Sequence, residues 1–186
     1  MDKTEIGSFR ERAKLLRMFS DGQEAAWWPV RTIWTRAERK SGTNIFSSVG
    51  LSAESWEFIL RQQNIAVEDA IEYRGEHYFL TDIRQLKPGF LQVSAAKVRI
   101  VQCQADRDRG PDGLRFPSAM TEKYIRHEDP GPMSVNVTCY VLVTPKCVTL
   151  RAGSLVEVAG EAYEVLCCHT LDARKNEFEV CRRADL

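Results

Sequence analysis

Residues 70–80 read AIEYRGEHYFL, and residues 155–165 read LVEVAGEAYEV. In each stretch apolar and polar residues alternate, which is the pattern of a β-strand with one buried face. A glycine interrupts the alternation, as expected at the tip of a tight hairpin, because glycine reaches positive φ without a Cβ clash. The two stretches therefore predict two glycine-tipped β-hairpins.

The two hairpins align at one constant offset along the chain, without a gap. The identical pairs are Glu72 and Glu157, Gly75 and Gly160, Glu76 and Glu161, and Tyr78 and Tyr163. The inward positions correspond as well, pairing Ile71 with Val156, Tyr73 with Val158, Tyr78 with Tyr163, and Leu80 with Val165. Glycine hairpins with alternating flanks share such features in general, but the constant spacing favours duplication of one unit. The hairpin motif is then Tyr73, Gly75, Tyr78, Val158, Gly160 and Tyr163.

Most of the remaining chain reads as strands of about five to eight residues, separated by Gly, Pro, Asn or Asp. This pattern predicts an all-β fold with little helix: a small β-barrel with an internally repeated hairpin unit, in two tandem barrel-like domains. We expect the first barrel over residues 1–103 and a second β-domain over residues 134–186. Residues 104–133, which include RDRGPDG and HEDPGPM and few apolar residues, are expected to form a loop or linker.

The charges of the chain balance, since 26 Lys and Arg residues match 26 Asp and Glu residues. Proteins that coat nucleic acid or bind acidic membranes usually carry a positive excess, so contact with DNA would have to come from a local patch. No apolar run approaches the roughly 20 residues of a spanning helix, and the N-terminal stretch is charged where a signal peptide would be apolar. We expect a protein made in a cytoplasm, with no membrane partner.

The cysteines form neither a CxxC pair nor a small-domain disulfide framework. They are Cys103, Cys139, Cys147, Cys167, Cys168 and Cys181. We expect them to remain thiols and to pack as small apolar side chains. A zinc site at Cys167, Cys168 or His169 is the weaker alternative, because adjacent cysteines rarely ligate one tetrahedral ion. The sequence therefore predicts neither a metal nor a cofactor.

Catalytic motifs such as GxxxxGK[ST], GxGxxG, GxSxG and HExxH do not occur in the sequence. The best catalytic candidates are Cys168, His169 and Asp172. Adjacent residues of a strand point to opposite faces, so His169 could not activate the thiol of Cys168. We therefore expect the protein not to be an enzyme.

A basic segment follows the tryptophan-rich strand that we predict over residues 27–36. Arg36 and Arg39 mark the exit of this strand, and a polar loop that contains glycine follows. The loop consists of Lys40, Ser41, Gly42, Thr43, Asn44, Ile45, Phe46, Ser47 and Ser48. It is either an exposed connection between strands or a loop that approaches nucleic acid, where Lys and Arg bind phosphates without sequence specificity.

The first half of the chain, over about residues 7–103, resembles the head-tail joining proteins of tailed bacteriophages, also called head-closure or adaptor proteins. The resemblance rests on WWPVRTIWTRAERKSG, GLSAESWEFILRQQ and AIEYRGEHYFLTDIRQL in this order. The matching residues are Trp27, Val30, Ile33, Trp34, Ile71, Tyr73, Gly75 and Tyr78. The second half extends beyond the single-barrel version of that family, and we expect it to lengthen the channel or to add a docking surface for the tail.

The resemblance implies a structural protein of the virion neck. It would form a ring of about six or twelve copies between portal and tail, close the head and provide the docking platform for the tail. The implied partners are a portal or adaptor ring, a tail tube or tail terminator, and packaged double-stranded DNA held without sequence specificity. Residues 40–48 would line or close the channel. Two alternatives stay open: a tail terminator or tail completion protein of the same neck, and a bacterial β-barrel module that binds a peptide or small ligand.

Two regions of the first half carry conflicting signals. Ser8 and Glu11 form a capping box that favours a helix, whereas residues 14–19 also suit an edge strand. The segment is a strand in the family that the chain resembles, so the resemblance favours a strand over residues 14–19. The four tryptophans cluster between Trp27 and Trp56. We expect core packing to take most of them and to leave one or two for contacts between subunits.

Overall fold

The computed structural model describes residues 9–40, 54–106, 113–127 and 136–183. Within these ranges the chain forms twelve β-strands. They are β1 (Glu11–Ser20), β2 (Ala25–Lys40), β3 (Ser55–Arg61), β4 (Ala70–Tyr73), β5 (Glu76–Lys87), β6 (Phe90–Val98), β7 (Ile100–Ala105), β8 (Arg115–His127), β9 (Asn136–Pro145), β10 (Leu155–Val158), β11 (Glu161–His169) and β12 (Lys175–Arg182). In the described residues there is no helix long and apolar enough to cross a membrane.

The strands form two closed barrels, each within its own compact unit. The first unit covers the described residues 9–18, 27–40 and 54–99, and its barrel has the strand order β1-β2-β3-β6-β5-β4. The second unit covers residues 19–26 and the described residues from 100 onward, and its barrel has the order β7-β8-β9-β12-β11-β10. Strands β7 to β12 therefore repeat the topology of β1 to β6. The predicted all-β fold with two barrels is confirmed.

The two hairpins that predicted the fold have the same register and the same turn. Ile71 lies opposite Tyr78 in the first, and Val156 lies opposite Tyr163 in the second. The two residues of each turn have positive φ: 55° and 78° at residues 74 and 75, and 52° and 89° at residues 159 and 160. Such two-residue turns match the right-handed twist of the strands that they join. The inward positions named above are all buried, as the constant offset between the hairpins predicts.

Each barrel closes where its first strand pairs with its fourth. Leu15 lies opposite Ile71 in the first barrel, and Ala105 lies opposite Val156 in the second. Both first strands alternate buried and more exposed residues, with Ala13 and Leu15 buried in β1. Tertiary pairing therefore overrides the capping box, and the strand expected over residues 14–19 is confirmed as part of β1.

The two cores also repeat, with larger aromatic rings in the first. Trp56 of β3 lies opposite Ala95 of β6, and Tyr140 of β9 lies opposite Val180 of β12. Since β9 and β12 take the places of β3 and β6 in the second barrel, Trp56 and Tyr140 are counterparts. The Trp56 ring contacts Tyr78 edge-on at 5.6 Å, and the Tyr140 ring contacts Tyr163 in the same manner at 5.7 Å. Edge-on pairs place the positive ring edge against the negative face of the partner ring. One packing solution therefore serves both barrels.

A buried hydroxyl group repeats as well. In β2, Oγ1 of Thr35 donates a hydrogen bond of 3.0 Å to the carbonyl oxygen of Ile59. In β8, Oγ of Ser118 donates a hydrogen bond of 2.7 Å to the carbonyl oxygen of Val143. Both hydroxyl-bearing residues are fully buried, where an unpaired hydroxyl would be costly. A shared polar contact of this kind is explained by duplication more simply than by generic hairpin similarity.

The structure corrects the linker predicted over residues 104–133. This range contains the end of β7 and the whole of β8, Arg115–His127. Phe116 and Ala119 of β8 are buried in the second barrel, and that barrel begins at Ile100. The prediction was wrong because Pro117 and the buried hydroxyl of Ser118 break the apolar alternation by which a strand is recognised. The second barrel is therefore longer than the predicted range 134–186.

Candidate interaction surface

Large apolar side chains line the outward face of β2. The exposed fractions are 61% for Trp28, 48% for Val30 and 51% for Trp34. The two neighbours of Trp34 in the chain, Ile33 and Thr35, are buried. Because side chains of a strand alternate, the even-numbered residues of this segment share the outer face of the barrel. Three large apolar residues on one exposed strand face are typical of a protein contact surface. We call Trp28, Val30 and Trp34 the β2 row.

The remaining tryptophans lie on the barrel side of the chain. Trp56 packs against the first core, and Trp27 is half-buried with its ring 5.8 Å from that of Phe79. Two of the four rings, Trp28 and Trp34, are exposed, so core packing does not take most of the tryptophans as expected. Their use in contacts between subunits stays a prediction.

The second barrel does not repeat the β2 row. Phe58 and Leu142 are counterparts, because each lies two residues after the paired aromatic residues Trp56 and Tyr140. Ala37 lies opposite Phe58, and Met120 lies opposite Leu142. Ala37 and Met120 are therefore counterparts too, which aligns β2 with β8. In this alignment Val30 corresponds to Gly113, and Trp34 corresponds to Pro117. The same barrel topology therefore forms with a glycine and a proline at these positions.

A cleft of about 540 Å³ opens beside the β2 row. Its lining residues are Phe9, Arg31, Thr32, Ile33, Trp34, Arg61 and Gln63. The cleft forms because the ladder between β2 and β3 covers only Thr35–Lys40 of β2, while Arg61 at the end of β3 pairs with Phe90 of β6. Because β3 ends at Arg61, residues 31–34 of β2 extend beyond the strand that pairs with β2 at this end of the barrel.

Arginine side chains give the cleft a positive character. Nη2 of Arg31 donates a hydrogen bond of 2.8 Å to the carbonyl oxygen of Asn64, which fixes that guanidinium at the wall of the cleft. The guanidinium carbon of Arg12 lies 4.6 Å from the centroid of the Trp34 ring. Arg61 is exposed on the opposite wall. Guanidinium groups next to aromatic rings are suited to partners that carry carboxylates and apolar side chains.

The predicted basic strand exit is neutralised in the structure. Arg36 forms an ion pair with Glu38, and Nη2 of Arg39 lies 3.2 Å from Oε1 of Glu54. Lys40, the first residue of the predicted channel loop, is exposed, and its Nζ lies 2.9 Å from Oε2 of Glu57. A phosphate group would have to compete with these carboxylates, so the exit is a weak site for nucleic acid.

The other residues of the predicted channel loop, Ser41, Gly42, Thr43, Asn44, Ile45, Phe46, Ser47 and Ser48, lie outside the described residues. Their placement at a channel stays a prediction.

The hairpin motif residues form the cores and turns of the barrels. The hydroxyl of Tyr73 donates a hydrogen bond of 2.8 Å to Oε1 of Glu11, and that of Tyr163 donates one of 3.0 Å to Oε2 of Glu161. The pKa of each tyrosine is raised to about 12, mainly by burial and secondly by the hydrogen bond to the carboxylate. These hydroxyls thus remain protonated and link the core to the surface of each barrel.

The residues weighed as a catalytic group have separate partners. The thiol of Cys168 lies 3.6 Å from the carbonyl oxygen of Leu150, while Nε2 of His169 lies 2.9 Å from Oε1 of Glu179. The pKa of the Cys168 thiol is raised, mainly by burial and secondly by the charge of the neighbouring Cys167. A raised pKa disfavours the reactive thiolate. Burial opposes ionisation of Asp172, but backbone N–H groups of residues 174 and 175 lower its pKa overall.

The cysteines do not all lie in the cores as expected. Cys103 and Cys139 are buried, Cys147 and Cys167 are exposed, and the other two are half-buried. All six are free thiols. In the described part of the chain, no three His, Cys, Asp or Glu side chains come together as metal ligands.

No family model matches this chain, and the search of curated proteins finds no match to it.

Sequence reasoning missed the cleft and the outward orientation of the β2 row. The signal for the row was present, because Trp28, Val30, Thr32 and Trp34 alternate with Arg31 and Ile33. Which set faces the core becomes clear only from the register with β3, where Thr35 pairs with Leu60. The cleft depends on where the ladder ends, which local sequence does not encode.

Proposed function

We propose that this protein is a structural component of the neck of a tailed phage. It forms a ring between portal and tail, closes the head and provides the docking platform for the tail. The observation that carries the proposal is the β2 row beside the arginine-lined cleft. This surface has the side chains of a protein contact, and the fold itself does not need it.

Three further features support a structural role in such a ring. Each barrel is closed, which removes open sheet edges that would pair nonspecifically with other chains. The basic residues at the end of β2 are paired with carboxylates, which suits a protein that lets DNA pass without gripping it. The thiol and imidazole that could act in catalysis are bound to different partners.

The proposal is tested by co-assembly with a portal ring of the same virus, followed by electron microscopy of the complex. We expect the wild-type chain to add a symmetric ring beneath the portal. The double variant Trp28→Ser/Val30→Ser removes apolar surface without touching the core, and we expect it to lose most of its portal binding. The matched control is Leu171→Ser, because Leu171 is a fully exposed apolar side chain in the second unit.

The same experiment separates the alternatives. Binding to the tail tube, with no binding to the portal, would indicate a tail terminator or completion protein instead. A chain that binds neither particle contradicts a neck function and leaves the bacterial binding module. If Leu171→Ser loses binding as strongly as the double variant does, the β2 row is not the contact surface.

A further inference from the structure

One edge of β2 has no strand partner over residues 31–34 in the described part of the chain. The ladder between β2 and β3 starts at Thr35, and β3 ends at Arg61. After β3 the chain follows β6 instead, since the backbone N–H of Gln62 donates a hydrogen bond of 2.8 Å to the carbonyl oxygen of Gly89. This part of β2 therefore has β1 on one side and the cleft on the other.

The register of β3 shows which backbone groups of β2 face the cleft. The carbonyl oxygen of Glu54 accepts a hydrogen bond from β6, so the backbone groups of Glu54 face β6. Successive residues of an antiparallel ladder face opposite neighbours, so those of Ser55 face β2, where Ser55 pairs with Lys40. Every second residue back from Lys40 faces the same side. The N–H and C=O groups of Trp34 and Thr32 therefore point into the cleft.

The second barrel has the equivalent edge, and there a strand partner is present. In the alignment of β2 with β8, Arg115 is the counterpart of Thr32. The backbone N–H of Arg115 donates a hydrogen bond of 2.9 Å to the carbonyl oxygen of Gln23, and Glu24 forms a parallel β-bridge with Arg115. Within the second unit, an extended segment from outside the six strands of the barrel thus adds to the edge of β8. This mode of recognition is β-augmentation.

A proline in β8 shows that the barrel does not need the N–H groups of this edge. Pro117 lies two residues after Arg115, so it faces the same side, and it pairs with Gln102 of β7 in an intact ladder. Proline is tolerated in a strand where the missing N–H has no ladder partner. Since Pro117 is the counterpart of Trp34, the N–H groups of the β2 edge are available to a partner.

The side chains at the β2 edge carry positive charge without a matching carboxylate. Arg31 and Arg61 line the cleft, and Arg12 lies over the ring of Trp34. In the described residues, none of these three exposed arginines forms an ion pair. Other arginines of the first unit do pair with carboxylates, namely Arg17, Arg36, Arg39, Arg74 and Arg84. The edge therefore suits an extended segment that carries carboxylates.

We propose that the edge of β2 at Thr32 and Trp34 binds an extended acidic segment of a partner protein, which runs parallel to β2. The segment takes the place that Gln23 and Glu24 take beside β8. Main-chain hydrogen bonds supply affinity, and the arginines select carboxylates. A second copy pairing through the same edge is disfavoured, because it would bring like charges together. The inference rests on the proposed function only for the source of the segment, a neighbouring protein of the neck.

The test is amide NMR of the isotope-labelled full chain with a capped peptide that alternates glutamate and valine, at millimolar concentration. We expect the amide signals of Thr32 and Trp34 to shift, and exchange of the Thr32 amide with solvent to slow about two- to tenfold. The amide of Ile33 faces β1 and should not slow. A nitroxide at the amino end of the peptide should broaden the amide of Trp28 more than that of Arg36, because the pairing is parallel.

Matched variants separate the backbone from the charge. Thr32→Pro should weaken binding about tenfold, because it removes the N–H and its ring stands in the path of the segment. Thr32→Ala keeps the N–H and should bind as the wild type does. Arg61→Glu should weaken binding about two- to fivefold, whereas Arg151→Glu, an exposed position in the second unit, should leave it unchanged. Circular dichroism checks the fold of each variant, and the wild-type Thr32 amide decides if Thr32→Pro does not fold.

Several outcomes would overturn the inference. They are no shift with the glutamate peptide, equal binding of a lysine–valine peptide, and Thr32→Pro binding as tightly as Thr32→Ala. Stronger broadening at Arg36 than at Trp28 would overturn the parallel geometry. Self-association that protects the Thr32 amide without peptide would make a second copy the occupant instead.

None of these outcomes contradicts a neck function, since a portal ring could still bind the β2 row. Loss of portal binding by a wild-type chain that binds the glutamate peptide would contradict the neck function alone.

Discussion

The second hairpin turn contains an alanine where the backbone is left-handed. Ala159 has φ of 52° and Gly160 has φ of 89°. A left-handed conformation costs an L-residue about 1–2 kcal/mol, because its Cβ approaches the following carbonyl oxygen. Glycine avoids this cost but loses about 0.5–1 kcal/mol through the greater freedom of its unfolded chain. We therefore expect Ala159→Gly to raise the free energy of unfolding of the second barrel by about 0.5–1 kcal/mol.

The neighbouring substitution Gly160→Ala has the opposite sign. A Cβ added at Gly160 meets no atom within 4 Å, so the effect is confined to the backbone. The same two contributions, reversed, predict a loss of about 0.5–1 kcal/mol. The matched control is Ala162→Gly, in the ordinary strand conformation of β11, which should lower stability by about 0.5–1 kcal/mol.

Hydrogen exchange of the backbone amides in β10 and β11 is the appropriate measurement. The four tryptophans all lie at or before residue 56, so their fluorescence reports on the first barrel. Since 1.4 kcal/mol corresponds to a factor of ten, Ala159→Gly should slow exchange about two- to five-fold. The control Ala162→Gly should accelerate it by a similar factor. If Ala159→Gly accelerated exchange as the control does, the left-handed turn would be refuted.

Three further predictions concern the cores. Phe58→Ala should lower the free energy of unfolding of the first barrel by about 3–5 kcal/mol. Urea titrations followed by tryptophan fluorescence measure this loss, and a loss below about 1 kcal/mol would contradict the central position of Phe58 in the core. Thr35→Val and Ser118→Ala should each cost about 0.5–1.5 kcal/mol by circular dichroism in urea, with unequal losses arguing against equivalent roles. Because the pKa of Tyr73 and of Tyr163 is raised to about 12 in the folded protein, their stabilisation should be complete below pH 10 and lost from about pH 10 to 12. Tyrosinate absorbance should show this late ionisation, and full ionisation near pH 10 in the folded chain would contradict it.

The sequence predicted the parts of the fold in which period-two alternation is strong. The inward residues of both hairpins, from Ile71 to Val165, could be identified because alternate residues of a strand share a face. β8 was missed because a proline and a buried serine occupy positions where apolar residues signal a strand. There the strand is defined by its pairing with β7 and β9 and not by an apolar alternation of its own.

The candidate surface was less accessible to prediction than the fold. The tryptophans of β2 were visible, but their exposure follows from a register that is set by β3 and from the end of the ladder at Thr35. The paired charges of Arg39 and Lys40 were likewise hidden, because their partners Glu54 and Glu57 lie beyond the intervening loop. Charge alone therefore suggested a nucleic-acid contact where the folded chain has ion pairs.

Duplication separates the residues needed for folding from those available for function. Features present in both barrels, such as the left-handed turns and the buried hydroxyl groups of Thr35 and Ser118, serve the fold that the barrels share. A feature present in one barrel alone cannot be required by that fold. Trp34, with a proline as its counterpart, is such a feature. Function is therefore to be sought where the two barrels differ, and the exposed part of β2 is one such place.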